Sequence, residues 1–250
     1  MSALTAPSLQ GGLACPSGSS ILDRALGIGG YPRGRIVAVS GPAASGKTTL
    51  ALSSIAAVQG RGGDAAFVDA EGALDPRWAR SLGVELGRLP ICRPDHGEAA
   101  LDMVRILVSS GGLDLVVIDS VAALTPASEL TAGLGAVGSG PRARMLSRAL
   151  CELAPILSRE ATVLLLLDQA RGDPRRRSPG PGIAASLRAS VRLAVHRTRI
   201  ERRTRIGRRS DAPVDATIWL TIVGNKLSTA SPPGELRIGW RGPVRSRVQR

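Results

Sequence analysis

The stretch Gly41-Pro42-Ala43-Ala44-Ser45-Gly46-Lys47-Thr48-Thr49 carries the most specific chemistry in this sequence. A glycine, four residues and then Gly-Lys-Thr is the spacing of a loop that cradles phosphates. Gly46 lets the backbone come close to phosphate oxygens. The helix that opens there turns free N–H groups and the positive end of its dipole toward an anion. The Lys47 ammonium can reach β- and γ-phosphates, and the Thr48 hydroxyl can serve Mg²⁺. A nucleoside triphosphate with Mg²⁺ is the expected ligand pair.

Such a loop needs a second carboxylate on the metal side, at the end of a buried strand. Asp119, which closes LDLVVIDS (113–120), fills that place. Hydrolysis further needs a group that orients or deprotonates water. DAAFVDAEGALDPRWA offers Glu71 just past a strand, and spacing alone leaves Asp69 and Asp75 as competitors.

The elements that must position these residues follow from pattern. The alternating, β-branched run 35–40 reads as a strand and 50–59 as a helix. Residues 65–69 read as another strand. The apolar runs 115–118 and 161–169 look like strands buried on both faces, as in a parallel sheet. Ligands then belong at the carboxyl edge of that sheet. Two later strands, near 190–196 and 216–223, flank an arginine-dense connection, 197–209, that reads as an extended hairpin. The expected fold is α/β: a mostly parallel, doubly wound sheet with helices on both faces, extended by antiparallel strands after Ser190.

At 250 residues and 43% hydrophobic, the chain can bury a sizeable core. No apolar run approaches the roughly 20 residues of a membrane span, and residues 1–17 lack the pattern of a secretion signal. They read as a flexible leader. Cys15, Cys92 and Cys151 are far apart and suit free thiols in a reducing compartment; neither they nor His96 and His196 have metal-ligand spacing. A cytoplasmic protein with no membrane partner is expected. The net charge of +13 rests almost wholly on arginine. It points either to a GC-rich genome or to an anionic partner. With aromatics at only 2%, base stacking has few residues to use, so any nucleic acid should be held by its backbone. DPRRRSPGPG (173–182) leaves the apolar run 161–169 as a cationic stretch too rich in proline and glycine to continue a strand or helix.

The sequence resembles the bacterial RecA recombinase family over roughly 17–242. The stretches that carry the resemblance are GSSILDRALGIGGYPRGRIVAVSGPAASGKTTL, AAFVDAEGALDPRWARSLGV, LDLVVIDSVAALTPASEL and RARMLSRAL. It implies a RecA-like P-loop ATPase core at 18–242, followed by a basic tail at 243–250. It also implies ATP as the nucleotide, DNA-dependent hydrolysis, and a role in DNA repair and homologous recombination within the DNA-damage (SOS) response. By the resemblance, Glu71 is the catalytic glutamate that activates water. Asp75, Trp78 and Trp240 border the nucleotide, with Asp75 and Trp78 at the adenine. Gln169 senses the γ-phosphate. The segment 171–182 is then one of two loops that meet single-stranded DNA, with Arg171, Arg175, Arg176 and Arg177 on its phosphates. The loop 131–140 is the other. The hairpin 197–209 reads equally as a guide for duplex DNA or a second strand and as a charged surface.

The pattern also departs from the family. Gly224-Asn225-Lys226 stands where the family has Lys-Asn-Lys, so Lys226 alone keeps the cation that reaches a neighbouring subunit's ATP. Ser186-Leu187 replaces a further interface lysine and its neighbour. Asp168 precedes Gln169 where asparagine is usual. The docking helix and strand that open the family pattern, and its C-terminal domain, are not seen in this sequence. Intact ATP handling within one subunit with weakened coupling between subunits is expected. Single-stranded DNA is the expected partner, with duplex DNA, a full-length RecA or a second copy of this chain beside it. Two rival readings are a non-filamenting accessory subunit resembling ImuA of mutagenic translesion synthesis, and a P-loop kinase. The intact 41–49 motif speaks against the first. The second lacks a recognisable hydroxyl-substrate site.

Overall fold

The structure is a computed structural model that describes residues 12–131, 139–169, 188–202, 214–227 and 236–241. Among the described residues, eight strands form one sheet. Its central members are β3 (Ile36–Gly41), β4 (Ala65–Asp69), β6 (Leu115–Asp119) and β7 (Val163–Gln169). Together with β5 (Ile91–Cys92), β8 (Val191–Arg202), β9 (Val214–Asn225) and β10 (Leu236–Arg241), they lie in the order β10-β9-β8-β3-β7-β6-β4-β5. From β3 to β5 every pairing is parallel, and β8 is parallel to β3 as well. The antiparallel part therefore starts one strand later than expected: β8 pairs antiparallel with β9, and β9 with β10. A separate two-stranded ribbon joins β1 (Ala14–Cys15) to β2 (Tyr31–Pro32).

The parallel strands read as unbroken apolar runs because both faces are covered. Successive side chains point to opposite faces. Val37, Val39, Phe67, Leu115, Val117, Leu165 and Leu167 pack on one side with α2 (Lys47–Gln59). Ile36, Ala38, Val68, Val116, Ile118, Leu164 and Leu166 pack on the other. There they meet Val104 and Val108 of α4 (Gly97–Ser109) and Leu146, Leu150 and Leu157 of α6 (Ser139–Glu160). Two short helices, α1 (Ser20–Ala25) and α3 (Pro76–Ser81), pack on the first side of the sheet through Leu22 and Ala79, and α5 (Ala127–Thr131) precedes α6. Aliphatic side chains dominate this core, as the low aromatic content requires.

The stretch read as a leader is shorter than 1–17. Ala14 and Cys15 form β1, Cys15 and Ser17 are fully buried, and Ser19 caps α1 by accepting from the Leu22 N–H at 3.3 Å. Two buried apolar or small residues and a cap bind this segment to the core. Residues 1–11 lie outside the described residues.

Candidate nucleotide site

The helix expected at 50–59 begins three residues earlier, at Lys47, because the end of the phosphate loop is itself its first turn. Gly46 is the N-cap with φ 97°, a left-handed conformation that glycine adopts without strain. Gly41 is required for a different reason: a Cβ there would lie 2.4 Å from the Val195 carbonyl oxygen of β8 and 2.7 Å from Ser45 Oγ. The loop thus leaves β3 pressed against the neighbouring strand and returns into α2.

Lys47 Nζ donates to the carbonyls of Gly41 at 3.1 Å and Pro42 at 2.7 Å. The ammonium is folded back over its own loop and largely buried. Burial pulls its pKa below the usual lysine value, and the charges of Asp119, Glu71 and Asp168 push the other way. Thr48 Oγ1 donates to Asp119 Oδ2 at 2.6 Å. Burial raises the Asp119 pKa, as do the negative charges of Glu71 and Asp69; the Thr48 hydrogen bond and Lys47 oppose it. An excess of buried negative charge therefore faces the loop, which is the chemistry a cation relieves.

Glu71, Asp69 and Asp75 differ in their neighbours. Asp69 is 3% exposed and organises the turn after β4: its carboxylate accepts from the N–H groups of Ala73 at 3.0 Å and Leu74 at 3.4 Å. Arg93 Nε adds an ion pair at 3.3 Å. Asp75 caps α3, accepting from Arg77 N at 2.8 Å and Trp78 N at 3.3 Å. Both carboxylates are engaged in holding backbone. Glu71 is exposed, and its side chain meets the Ser120 hydroxyl. The N–H groups of Ala70 and Glu71 both donate to the Asp119 carbonyl, at 2.8 and 3.2 Å. The turn after β4 is fastened in this way to the end of β6, where the Asp119–Ser120 peptide is cis.

Gln169 ends β7 directly opposite Gly41 in the β3–β7 register, so a residue 128 positions later stands beside the first residue of the loop. Asp168, one residue earlier, is buried opposite Ser40. Trp78 is half-buried against the core, and its indole Nε1 donates to Thr49 Oγ1 of α2 at 3.2 Å. Trp240 lies in β10 opposite Ala216, and the contact expected of its side chain falls outside the described residues. Lys226 is exposed just past β9, its N–H bonded to the Ser190 carbonyl at 2.9 Å. The Gly224 position beside it is occupied by a different cation: a Cβ there would meet the Arg192 guanidinium at 2.8 Å.

Arg171, Arg175, Arg176 and Arg177 lie outside the described residues, as do Ser186, Leu187, 132–138 of the loop 131–140, and 203–209 of the hairpin. The part of the hairpin at 197–202 continues β8. Sequence reasoning named Thr49 only as part of the phosphate loop and Asp69 only as a competitor for the base; it missed Ser120 and the pairing of Asp69 with Arg93. A serine directly after the metal-side aspartate was the one available signal, and nothing in it pointed to Glu71.

The profile of the RecA N-terminal domain family matches residues 10–240. Protein RecA of Borrelia duttonii (strain Ly) is 44% identical over 228 residues, covering 88% of this chain and 61% of that protein. Protein RecA of Treponema pallidum (strain Nichols) is 43% identical over 227 residues, covering 88% and 54%. For Protein RecA of Acholeplasma laidlawii the identity is 48% over 191 residues, covering 74% and 57%. The chain spans only 54% to 61% of the length of these relatives. A profile matched over nearly the whole chain, on a sheet that brings the 41–49 loop, Asp119 and Glu71 to its carboxyl edge, makes this chain a member of the bacterial RecA family.

Proposed function

We propose that the chain is an ATP-dependent single-stranded-DNA-binding protein of the recombinase type. It hydrolyses ATP with Mg²⁺ and acts in DNA repair and homologous recombination in the cytoplasm. Duplex DNA, a full-length RecA or a second copy of the chain are its further partners. The observation that carries this reading is the convergence of Lys47, the Thr48–Asp119 pair and Glu71 at the carboxyl ends of β3, β6 and β4.

The residues suit ATP and Mg²⁺ by the chemistry of their donors. Lys47 exchanges its bonds to the Gly41 and Pro42 carbonyls for phosphate oxygens. Thr48 and Asp119 would hold the cation, whose positive charge would offset the negative charge developing on the phosphate oxygens. Glu71 takes a proton from water. The electron pair of that O–H bond passes to the new O–P bond, and the bond between the γ-phosphorus and the departing diphosphate oxygen breaks. Gln169, beside Gly41 in the sheet, responds to the γ-phosphate in this reading. Asp75, Trp78 and Trp240 border the nucleoside, and Arg171, Arg175, Arg176 and Arg177 hold the DNA backbone.

Steady-state ATP hydrolysis with and without single-stranded DNA tests this reading. Hydrolysis that rises with DNA is expected. Turnover absent under both conditions sinks the enzymatic reading in favour of an accessory subunit, and phosphate delivered to a small-molecule hydroxyl favours a kinase.

A further inference from the structure

We infer that Ser120 is a positioning residue for the base: it anchors Glu71 Oε1 and thereby leaves Oε2 as the oxygen that takes the proton from water. This inference rests on the reading of the site as an ATPase. Ser120 is 1% exposed at the end of β6 and donates its hydroxyl proton to Glu71 Oε1. Glu71 is otherwise a side chain on an exposed turn, where free rotation would spread its carboxylate over many positions.

Three features make this contact more than a chance meeting on a surface. The backbone of the same turn is already tied to the same place, because Ala70 N and Glu71 N donate to the Asp119 carbonyl. The Asp69 carboxylate holds the far side of the turn through Ala73 and Leu74. With main chain and turn both held, one hydrogen bond is enough to select the side-chain rotamer. Finally, Asp119 and Ser120 are consecutive, so one short segment presents a metal-side carboxylate toward Thr48 and a hydroxyl toward Glu71. The distance between the cation site and the base is then set by a single peptide unit. A hydrogen bond to a carboxylate is also stronger than one between neutral groups.

Glu71 touches the reacting water, and Ser120 acts through it. Ser120→Ala should therefore lower kcat for ATP hydrolysis by on the order of 10–100-fold, the scale of a modest misplacement of a catalytic group. The KM for ATP and the affinity for a non-hydrolysable ATP analogue should stay within about twofold, because no phosphate or nucleoside contact is removed. Ser120→Thr, which keeps the hydroxyl, should recover most of the rate. In a Glu71→Gln background Ser120→Ala should add no further loss. The contact can also be read without turnover: in urea unfolding of the ligand-free protein, Ser120→Ala and Glu71→Ala should be non-additive. Wild-type kcat in Ser120→Ala, a parallel loss of analogue binding, or additivity in either double-mutant cycle overturns the assignment. A wild-type chain with no hydrolysis at all sinks the ATPase reading and this assignment together. Wild-type hydrolysis with additive variants sinks the assignment alone.

Discussion

Thr48 donates its hydroxyl proton to Asp119 Oδ2 across 2.6 Å, joining residues 71 positions apart in the sequence. Asp119 is buried, and burial raises its pKa. A carboxyl whose folded-state pKa is raised binds its proton more tightly when folded, so stability is greatest at low pH and declines as pH rises through the folded value. At neutral pH the ionised group is a cost to the ligand-free fold. Asp119→Asn removes that charge and keeps the shape. Its melting temperature without Mg²⁺ should rise, by about 2–4 °C for each ~1 kcal/mol relieved. Mg²⁺ with an ATP analogue should then stabilise the wild type and leave this variant nearly unchanged. Differential scanning calorimetry at pH 5 and pH 8 checks both signs: the gain should shrink at the lower pH.

Lys47 and Glu71 should separate binding from chemistry. Lys47→Ala removes the charge on the transferred phosphate and should abolish ATP binding or turnover. Glu71→Gln should keep binding and lose at least ~100-fold in hydrolysis, since an amide cannot take the proton. Equilibrium binding of a fluorescent ATP analogue beside a phosphate-release assay tells the two apart. Wild-type hydrolysis by Glu71→Gln would return the role of base to another group.

The indole of Trp78 is held by Thr49, one residue beyond the proposed magnesium-side threonine. A base stacked on it should quench its fluorescence when ATP binds, and Trp78→Phe should lose that part of the signal. Thr49→Val keeps the volume and removes the acceptor. It should weaken nucleotide binding by roughly 2–10-fold, the worth of one ordinary hydrogen bond, with kcat at saturating ATP preserved. A quench that survives in Trp78→Phe places the base elsewhere.

Gly41→Ala places a Cβ 2.4 Å from a backbone oxygen of β8, a contact that cannot be relieved by turning a side chain. The strand or the loop must shift, at a cost of about 1–3 kcal/mol. Urea unfolding should show a lower midpoint with an unchanged slope, and nucleotide affinity should fall with it.

Arg175, Arg176 and Arg177 are proposed to bind the phosphate backbone of single-stranded DNA. Each phosphate neutralised contributes about −0.7 to the slope of log affinity against log salt, so replacing all three with alanine should flatten the slope by roughly 2. Binding should be nearly independent of DNA sequence. Hydrolysis without DNA should persist, and stimulation by DNA should fall. An unchanged slope in this variant, with a flattened one after substitutions in 197–209, moves the DNA site to the hairpin.

The strand, loop and helix of 36–59 were legible in the sequence because the motif is local. One contiguous backbone segment between a strand and a helix supplies the glycines, the lysine and the threonine, so spacing alone carries the signal. The parallel strands were legible for a similar reason: burial on both faces writes itself as an unbroken apolar run, as at 163–167 in β7. The choice among Asp69, Glu71 and Asp75 was not legible from spacing, and only the family resemblance singled out Glu71. All three lie within one short stretch after β4, and what distinguishes them is which backbone N–H groups each carboxylate happens to face. Ser120 with Glu71 and Thr49 with Trp78 are pairs 49 and 29 residues apart. The strand order β3-β7-β6-β4 brings the first pair together, and the packing of α3 on α2 the second. A hydrogen bond between distant side chains leaves no periodicity in either segment. The sequence by itself determined which chemistry-bearing residue types are present; the tertiary structure alone decided which carboxylates hold backbone and which one meets the Ser120 hydroxyl.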